Sequence, residues 1–236
     1  MNKEVRIEDL VFRKAKKTDN TDDIATLIYQ TDPYIYPYWF QNDLNKAKEF
    51  LGKNIKEPGF IFNYENLYVA YDSSLKKIVG LIVALDKNTN FDFDYEKYAR
   101  TNKNQKVTIN KYVKACIKDV VENDDLYIMN CTVLQECRGK KIGTRLLRTF
   151  IKGKERDGYE SFRLDCLLHN LRAKNLYHSF GFKEMEEVTG FKGYSDKDVE
   201  VVVFKRHKGD YLPEEFQKYE HYEGIRSVLA DIPDLI

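Results

Sequence analysis

Apolar and polar residues follow one another along the chain with periods that predict a succession of strands and helices. Apolar side chains recur at helical spacing in residues 19–29 and 42–52, and acids in the first turn of the earlier segment suit a helix N-terminus. Thr21 is the expected N-cap of that first helix. Between the two helices, residues 31–40 combine two prolines with aromatic side chains. This composition predicts an irregular aromatic loop.

Short apolar runs mark the predicted strands of the first half, at residues 5–14, 67–71 and 78–85. The last two strands are close enough in sequence to form a hairpin. Residues 78–85 are apolar throughout, so this strand is expected near the centre of the sheet with both of its faces buried.

The second half repeats the alternation of strand and helix. Strands are predicted at residues 126–133 and 161–167, and each is followed by a helix, at 142–154 and 171–180. Gly181 follows the last helix as a C-cap would. Two further strands, at 182–191 and 198–205, are predicted to close the chain as a hairpin. This order predicts an α/β or α+β fold in which helices flank a mixed central sheet.

Two segments fall outside this alternation. Residues 86–125 are interpreted as an insertion, with a flap in their earlier half and a packed helix in their later half. Residues 209–236 form a C-terminal extension with a weak helical pattern. The expected organisation is a single domain of residues 1–208 followed by this extension, which could pack on a second subunit of a homodimer.

Composition and charge argue against several classes of protein. The chain has 39 Lys and Arg against 38 Asp and Glu, a net charge of +1, so no global field favours nucleic acid. The first ten residues are charged throughout and the longest apolar run is too short for a bilayer, which predicts a cytoplasmic protein without membrane contact. The four cysteines form no C-x-x-C pair and no histidine lies at a zinc-finger spacing, so no metal site is predicted.

A basic, glycine-containing loop joins the strand at 126–133 to the helix that follows it. From Arg138 to Arg148 there are five basic residues and no acid. A helix N-terminus presents unpaired N–H groups and partial positive charge, and glycines let the backbone approach a bound anion. The segment therefore predicts a site for a di- or polyphosphate. The glycine spacing of a Walker loop and the third glycine of a Rossmann fingerprint are both missing.

Two motifs carry a resemblance to a known family. Residues 138–143, Arg-Gly-Lys-Lys-Ile-Gly, match the phosphate-loop pattern Arg/Gln-x-x-Gly-x-Gly/Ala, except that Lys141 replaces the middle glycine. Residues 170–182 match the pattern N-x-x-A-x-x-L-Y-x-x-x-G-F of the same family. The chain thus resembles the GNAT (GCN5-related) N-acetyltransferase superfamily. Because Lys141 enters the helix, it is expected to have an ordinary helical φ.

The resemblance implies a GNAT fold with splayed central strands and acetyl-CoA as co-substrate between them. Backbone groups of residues 129–133 would pair with the pantetheine arm, and residues 138–144 would bind the diphosphate. Asn170 would cap its helix and contact the pantetheine. Tyr177 would protonate the leaving thiolate, although a tyrosine packed in the core is the alternative. The implied cofactor-binding residues are Cys131, Thr132, Val133, Arg138, Gly139, Lys140, Lys141, Ile142, Gly143, Thr144, Asn170 and Asn175.

The acceptor side is less defined by the sequence. Tyr34, Tyr36 and Trp39 lie where this family builds acceptor sites and could hold an amine by cation–π contact, or they could form a hydrophobic cluster that covers the sheet. No carboxylate stands out as the general base; the weak candidates are Asp32, Glu65 and Asp94. Neither Cys131 nor Cys166 is expected to act as a nucleophile.

The expected function is that of an acetyl-CoA-dependent N-acetyltransferase, with direct transfer to an amine of a small molecule or a protein. Two alternatives stay open, an acyl-CoA-binding regulatory module without turnover and an acetyltransferase that acts on aminoacyl-tRNA. The presence of Tyr177 argues against the first, and the near-zero net charge argues against the second.

Overall fold

Seven strands form one twisted sheet in the computed structural model, which describes residues 5–93, 121, 125–190 and 200–210. The order across the sheet is β1-β2-β3-β4-β5-β7-β6, and every neighbouring pair is antiparallel except β4 and β5. This is the mixed sheet that the sequence predicts. The strands are β1 (Leu10–Lys14), β2 (Leu67–Asp72), β3 (Lys77–Leu85), β4 (Leu126–Val133), β5 (Ser161–Leu167), β6 (Lys183–Gly190) and β7 (Glu200–His207).

Helices cover both faces of this sheet. The described helices are α1 (Thr21–Thr31), α2 (Ile35–Trp39), α3 (Leu44–Asn54), α4 (Ile142–Arg156) and α5 (Leu171–His178). In β4, Val133 contacts α4 at Gly143, whereas Asn130 is hydrogen-bonded to Tyr36 of α2. Because residues an odd number apart in a strand point to opposite faces, α4 and α2 lie on opposite sides of the sheet.

The central position of β3 agrees with its composition. This strand lies between β2 and β4, and most of its side chains are buried. On one side it packs against α4 so closely that Gly80 leaves little room for a side chain. The continuous apolar run is therefore explained by helices on both faces of the sheet, as expected for a central strand.

Three local predictions are corrected by the structure. Residues 31–40 contain a short helix, α2, because Asp32 accepts hydrogen bonds from the backbone N–H groups of Tyr34 and Ile35 and so starts a helical turn. The cap of α1 is Asn20, whose side chain accepts from the backbone of the next turn, and not Thr21. The first strand begins at Leu10, since Ile7–Asp9 form a 3-10 turn.

Parts of two predicted segments lie outside the described residues. These are most of the insertion at 86–125, including its expected helix and Asp94, and all but the first two residues of the extension at 209–236. Among the residues that the structure does describe, no helix has the length and apolar character needed to cross a membrane.

Candidate active site

β4 and β5 run together only at their beginnings. Three residue pairs join them, from Leu126↔Phe162 to Ile128↔Leu164, and beyond Ile128 the two parallel strands are no longer paired with each other. The edge of β4 from Met129 to Val133 therefore faces an opening and not a neighbouring strand. This is the splay that the GNAT resemblance implies, and it forms the centre of the candidate site.

Two adjoining cavities occupy this opening. The larger one, here called the large groove, has a volume of about 670 Å³ and runs from the start of α4 to the start of α5. The smaller one, here called the inner cleft, has a volume of about 120 Å³ and lies between β4, β5 and α2. The two cavities share several lining residues, among them Cys131, Asn170 and Tyr177.

Most of the predicted cofactor residues line the large groove. Their backbone and side chains come from the end of β4, from the loop before α4 and from the first turns of α4 and α5. The predicted residues that line it are Cys131, Thr132, Val133, Arg138, Gly139, Ile142, Gly143, Thr144 and Asn170.

The loop before α4 owes its shape to two residues with left-handed backbone. Gly139 has φ +82 and Lys141 has φ +58, so the expectation of a helical φ at Lys141 is wrong. Lys141 is the N-cap of α4 and makes no side-chain cap, so it contributes no acceptor to the N–H groups of the first helical turn. The residues of that turn line the large groove, where partial positive charge and free N–H groups suit an anion.

Two arginines reach the large groove from opposite elements. Arg138 precedes α4, and its Nε donates a hydrogen bond of 3.2 Å to the carbonyl of Val133. Arg172 lies in the first turn of α5 and was not predicted as a site residue. Lys140 and Lys141, predicted from the same basic run, are not among the residues that line the groove, and Lys140 instead points its Nζ towards the carbonyl of Val5 at 3.5 Å.

Asn170 and Asn175 have different positions on α5. Asn170 is the N-cap, and its side chain accepts a hydrogen bond of 3.1 Å from the backbone N–H of Ala173. It also lines both cavities. Asn175 is exposed on another face of the helix and lines neither cavity, so only the first of the two asparagines is brought to the groove.

Tyr177 stands at the junction of the two cavities. It is 8% exposed, and its ring makes edge contacts with Phe182 and Phe204 at centroid distances of 6.0 and 5.7 Å. Burial, and to a smaller extent the neighbouring thiols of Cys131 and Cys166, raises the pKa of Tyr177 well above 10. No described residue forms a hydrogen bond with its hydroxyl. Tyr177 thus packs in the hydrophobic core and also lines both cavities.

The thiols near this junction are poor nucleophiles. Burial raises the pKa of Cys131 to about 12 and that of Cys166 to about 12. Because only the thiolate attacks readily, these raised pKa values disfavour either thiol as a nucleophile at neutral pH.

The three aromatic residues predicted for the acceptor side separate in the structure. Tyr34 lines the large groove and Tyr36 lines the inner cleft, where its hydroxyl accepts a hydrogen bond of 3.0 Å from the side-chain amide of Asn130. Burial raises the pKa of Tyr36 above its ordinary value. Trp39 is 1% exposed, packs edge-on against Tyr36 and lines neither cavity.

Several lining residues were missed by the sequence analysis. They include polar residues at the end of α1, on β5, after β5, in the first turn of α5 and at the start of β7. Arg172 occupies an unspecified position of the motif at 170–182, and the others belong to no motif. Only the splay of β4 from β5 brings them to one opening, so no local pattern could have identified them. They are Gln30, Thr31, Asp165, His169, Arg172 and Glu200.

A short stretch of the chain is similar to a curated protein. Over 54 residues the chain is 46% identical to an uncharacterized N-acetyltransferase of Schizosaccharomyces pombe, an alignment that covers 23% of this chain and 33% of that protein. The chain thus matches about a third of the length of this curated relative.

Two solved structures share the fold at low sequence identity. A polyamine N-acetyltransferase of Drosophila melanogaster, which forms N-acetylagmatine, is 15% identical with a TM-score of 0.52, and the match covers 85% of this chain and 100% of that one. The NatC complex bound to Gag peptide and CoA contains a chain that is 17% identical with a TM-score of 0.50, over 85% of this chain and 99% of that one.

The family model described as the acetyltransferase (GNAT) family matches residues 29–182. This range contains the basic loop, the splayed strands and Tyr177, and it is more than half of the chain. The chain belongs to the GNAT acetyltransferase family.

Proposed function

We propose that the protein transfers the acetyl group of acetyl-CoA directly to a primary amine. The observation that supports this most strongly is the continuity between the start of α4 and Tyr177 along one groove of about 670 Å³. A site for the anionic end of a long ligand and a buried proton donor lie at different points of the same cavity. The CoA bound in a NatC structure of the same fold gives further support.

The residues of the groove fit coenzyme A in chemical type. Free N–H groups of the first turn of α4, with Arg138 and Arg172, would bind its phosphates through charge-assisted hydrogen bonds. The unpaired edge of β4 from Met129 to Val133 would hydrogen-bond the amide groups of the pantetheine arm. Acetyl-CoA supplies the activated thioester.

Tyr177 would act as the general acid in this reaction. Its raised pKa keeps the phenol protonated over the whole physiological range, so the proton is available when a thiolate departs. The raised pKa values of Cys131 and Cys166 disfavour an acyl-enzyme, which supports direct transfer over a two-step route.

The experiment is acetyl-CoA turnover against a panel of amines that includes agmatine and a peptide with a free N-terminus. These two probes are suggested by the N-acetylagmatine that one structural relative forms and by the peptide bound in the other. The Tyr177→Phe variant should bind CoA within twofold of the wild type in calorimetry, whereas kcat should fall by about 10²-fold or more. Unchanged kcat would remove Tyr177 from the mechanism. CoA binding without turnover of any amine in the wild type would instead indicate a binding module.

A charge-reversal pair tests the phosphate end separately. Arg138→Glu combined with Arg172→Glu should weaken CoA binding by about 10²-fold, because two charge-assisted contacts are replaced by repulsion. The control is Lys152→Glu, an exposed residue of α4 outside the groove, which should leave the affinity unchanged. Equal affinity in the double variant and the control would mean that the anion site is misidentified.

A further inference from the structure

Asp32 lines the inner cleft, and one of its two carboxylate oxygens carries the hydrogen bonds of a backbone turn. The residue ends α1, and its Oδ1 accepts hydrogen bonds of 2.7 Å from the backbone N–H groups of both Tyr34 and Ile35. Because both bonds use Oδ1, they fix the plane of the carboxylate and leave Oδ2 without a hydrogen bond or ion pair from the described residues. Asp32 and Tyr177 line the same cleft.

The other carboxylates near the site are differently placed. Asp165, which also lines the inner cleft, accepts a hydrogen bond of 3.0 Å from the Tyr127 hydroxyl, and the Nε of Arg163 is 3.7 Å from its other oxygen. Glu200 lines only the large groove and is exposed to solvent. Asp32 is therefore the carboxylate that combines a fixed orientation, a place in the inner cleft and an oxygen available to a ligand.

In the described part of the chain, positively charged side chains line the large groove but not the inner cleft, and this distribution leaves room for a cationic ligand beside Asp32. Among the described residues, the arginines line the large groove, whereas no Lys, Arg or His lines the inner cleft. Asp32 also follows the C-terminus of α1, where the helix dipole favours positive charge. Burial raises the pKa of Asp32 against the effect of its two backbone hydrogen bonds, which indicates a partly desolvated carboxylate that would gain from a cationic partner.

We propose that Oδ2 of Asp32 binds the ammonium form of the acceptor amine in the inner cleft and then takes its proton. The acceptors are consequently compounds with a primary ammonium group narrow enough to enter a cleft of about 120 Å³. This inference rests on the proposed acetyl transfer and deepens it by assigning the general base and the acceptor class.

The proton and electron balance of the step is complete with these residues. One ammonium proton passes to Asp32, and the nitrogen lone pair so released forms the new C–N bond to the acetyl carbon. As the C–S bond breaks, its electron pair stays on sulfur, which takes the phenolic proton of Tyr177. The second proton that the nitrogen loses on becoming an amide passes to solvent and balances the reprotonation of Tyr177. Asp32 then releases its proton to solvent, which is the one proton that the overall reaction yields.

The test compares Asp32→Asn with a matched change at Asp43. Asparagine can still accept both backbone hydrogen bonds at position 32, so the variant removes charge while keeping the turn. Asp43 caps α3 in the same manner, with Oδ1 accepting from Asn45 and Lys46, but it lines neither cavity. Thermal unfolding of both variants should be close to that of the wild type, which separates a site effect from misfolding.

The expected result is a selective loss on the acceptor side. With agmatine as acceptor, Asp32→Asn should raise the KM for agmatine by about 30-fold or more and lower kcat, because the ammonium group loses its counter-charge. The KM for acetyl-CoA should stay within twofold. Asp43→Asn should change neither constant. An unaltered KM and kcat for agmatine in Asp32→Asn would overturn the assignment of Asp32 while leaving the proposed acetyl transfer intact.

A binding measurement decides the matter without turnover. Agmatine is titrated calorimetrically into the full chain saturated with CoA, and the wild type should bind it at least 10-fold more tightly than Asp32→Asn. Equal affinity, or no binding to either protein, would contradict an ammonium site at Asp32. A wild type that binds agmatine through Asp32 but consumes no acetyl-CoA would refute the proposed function and not this site.

Discussion

At the scale of single residues, the loop before α4 depends on backbone conformations that most side chains avoid. Gly139 adopts its left-handed φ without cost, and nothing lies within 4 Å of the position where a Cβ would be. Lys141 has a left-handed φ as well but carries a side chain. A non-glycine residue in this region costs about 1–2 kcal/mol. The loop therefore holds strain at the position where the family pattern has glycine.

Replacing Lys141 by glycine should stabilise the protein. The relief of left-handed strain exceeds the entropy lost by ordering a glycine, so we expect the free energy of unfolding to rise by up to about 1 kcal/mol. Urea denaturation measures the change. The control is Lys140→Gly, because Lys140 has no positive φ and should lose about 0.5–1 kcal/mol. A loss of the same size at both positions would show that Lys141 is not strained.

At the scale of elements, α4 and β3 are in close contact at Gly80, and this contact fixes the distance between α4 and the sheet. A Cβ on Gly80 of β3 would lie 3.2 Å from Leu146 Cδ2, 3.3 Å from Ala70 Cβ and 3.4 Å from the carbonyl oxygen of Thr132. Two of these neighbours belong to the sheet itself and cannot move independently. The helix whose start forms the proposed anion site therefore packs directly against the central strand.

We expect Gly80→Ala to destabilise the protein by about 1–2 kcal/mol, because the added methyl group overpacks this contact. The same variant should weaken CoA binding, since α4 would move away from β3 and the start of α4 would shift with it. The matched control is Gly153→Ala in α4, where nothing lies within 4 Å of the added Cβ. Higher helix propensity should make that variant more stable by about 0.5–1 kcal/mol. If both Gly80→Ala and Gly153→Ala were more stable than the wild type, α4 would be able to shift without loss of stability.

At the scale of the whole molecule, buried carboxylates tie elements together and make folding sensitive to acid. Asp125 lies before β4 and is bonded to Ser161 of β5 and to Lys205 of β7 at 2.9 Å. Arg13 of β1 holds Asp19 at 2.7 Å. Although burial acts in the opposite direction, these partners lower the pKa of both carboxyl groups below 3.8. Both carboxylates therefore favour the folded state when they are ionised.

The sign of the pH dependence follows from these lowered pKa values. A carboxyl group whose pKa is depressed on folding contributes stability above its unfolded pKa and loses it as pH falls through the folded value. We expect the free energy of unfolding to be steady between pH 7 and 5 and to fall below about pH 4. Urea denaturation at pH 7, 5, 4 and 3 tests this. Asp125→Asn should have a lower free energy of unfolding than the wild type at pH 7, and this free energy should fall less between pH 7 and 3. An equal fall in the variant and the wild type would show that Asp125 does not cause the acid sensitivity.

Local sequence determined most of the elements of this protein. The strands β4 and β5 have the predicted bounds, and α4 and α5 begin where they were predicted, because apolar periodicity and helix-start chemistry are properties of neighbouring residues. The basic loop and the motif that contains Tyr177 also indicate the family from the sequence alone. Among the local predictions that failed are those for α2 and Lys141. The turn that starts α2 is held by two hydrogen bonds to Asp32, and Lys141 has a left-handed φ that the sequence does not indicate.

Only the tertiary structure decided which side chains face the site. The divergence of β4 from β5 after three residue pairs brings Asp32, Arg172 and Tyr177 to one opening, although they come from three separate helix ends. The same packing turns Lys140 and Asn175 away from it and buries Trp39. Periodicity assigns a residue to an element and a face, but the cavity between two strands depends on contacts distant in sequence, and no local pattern contains them.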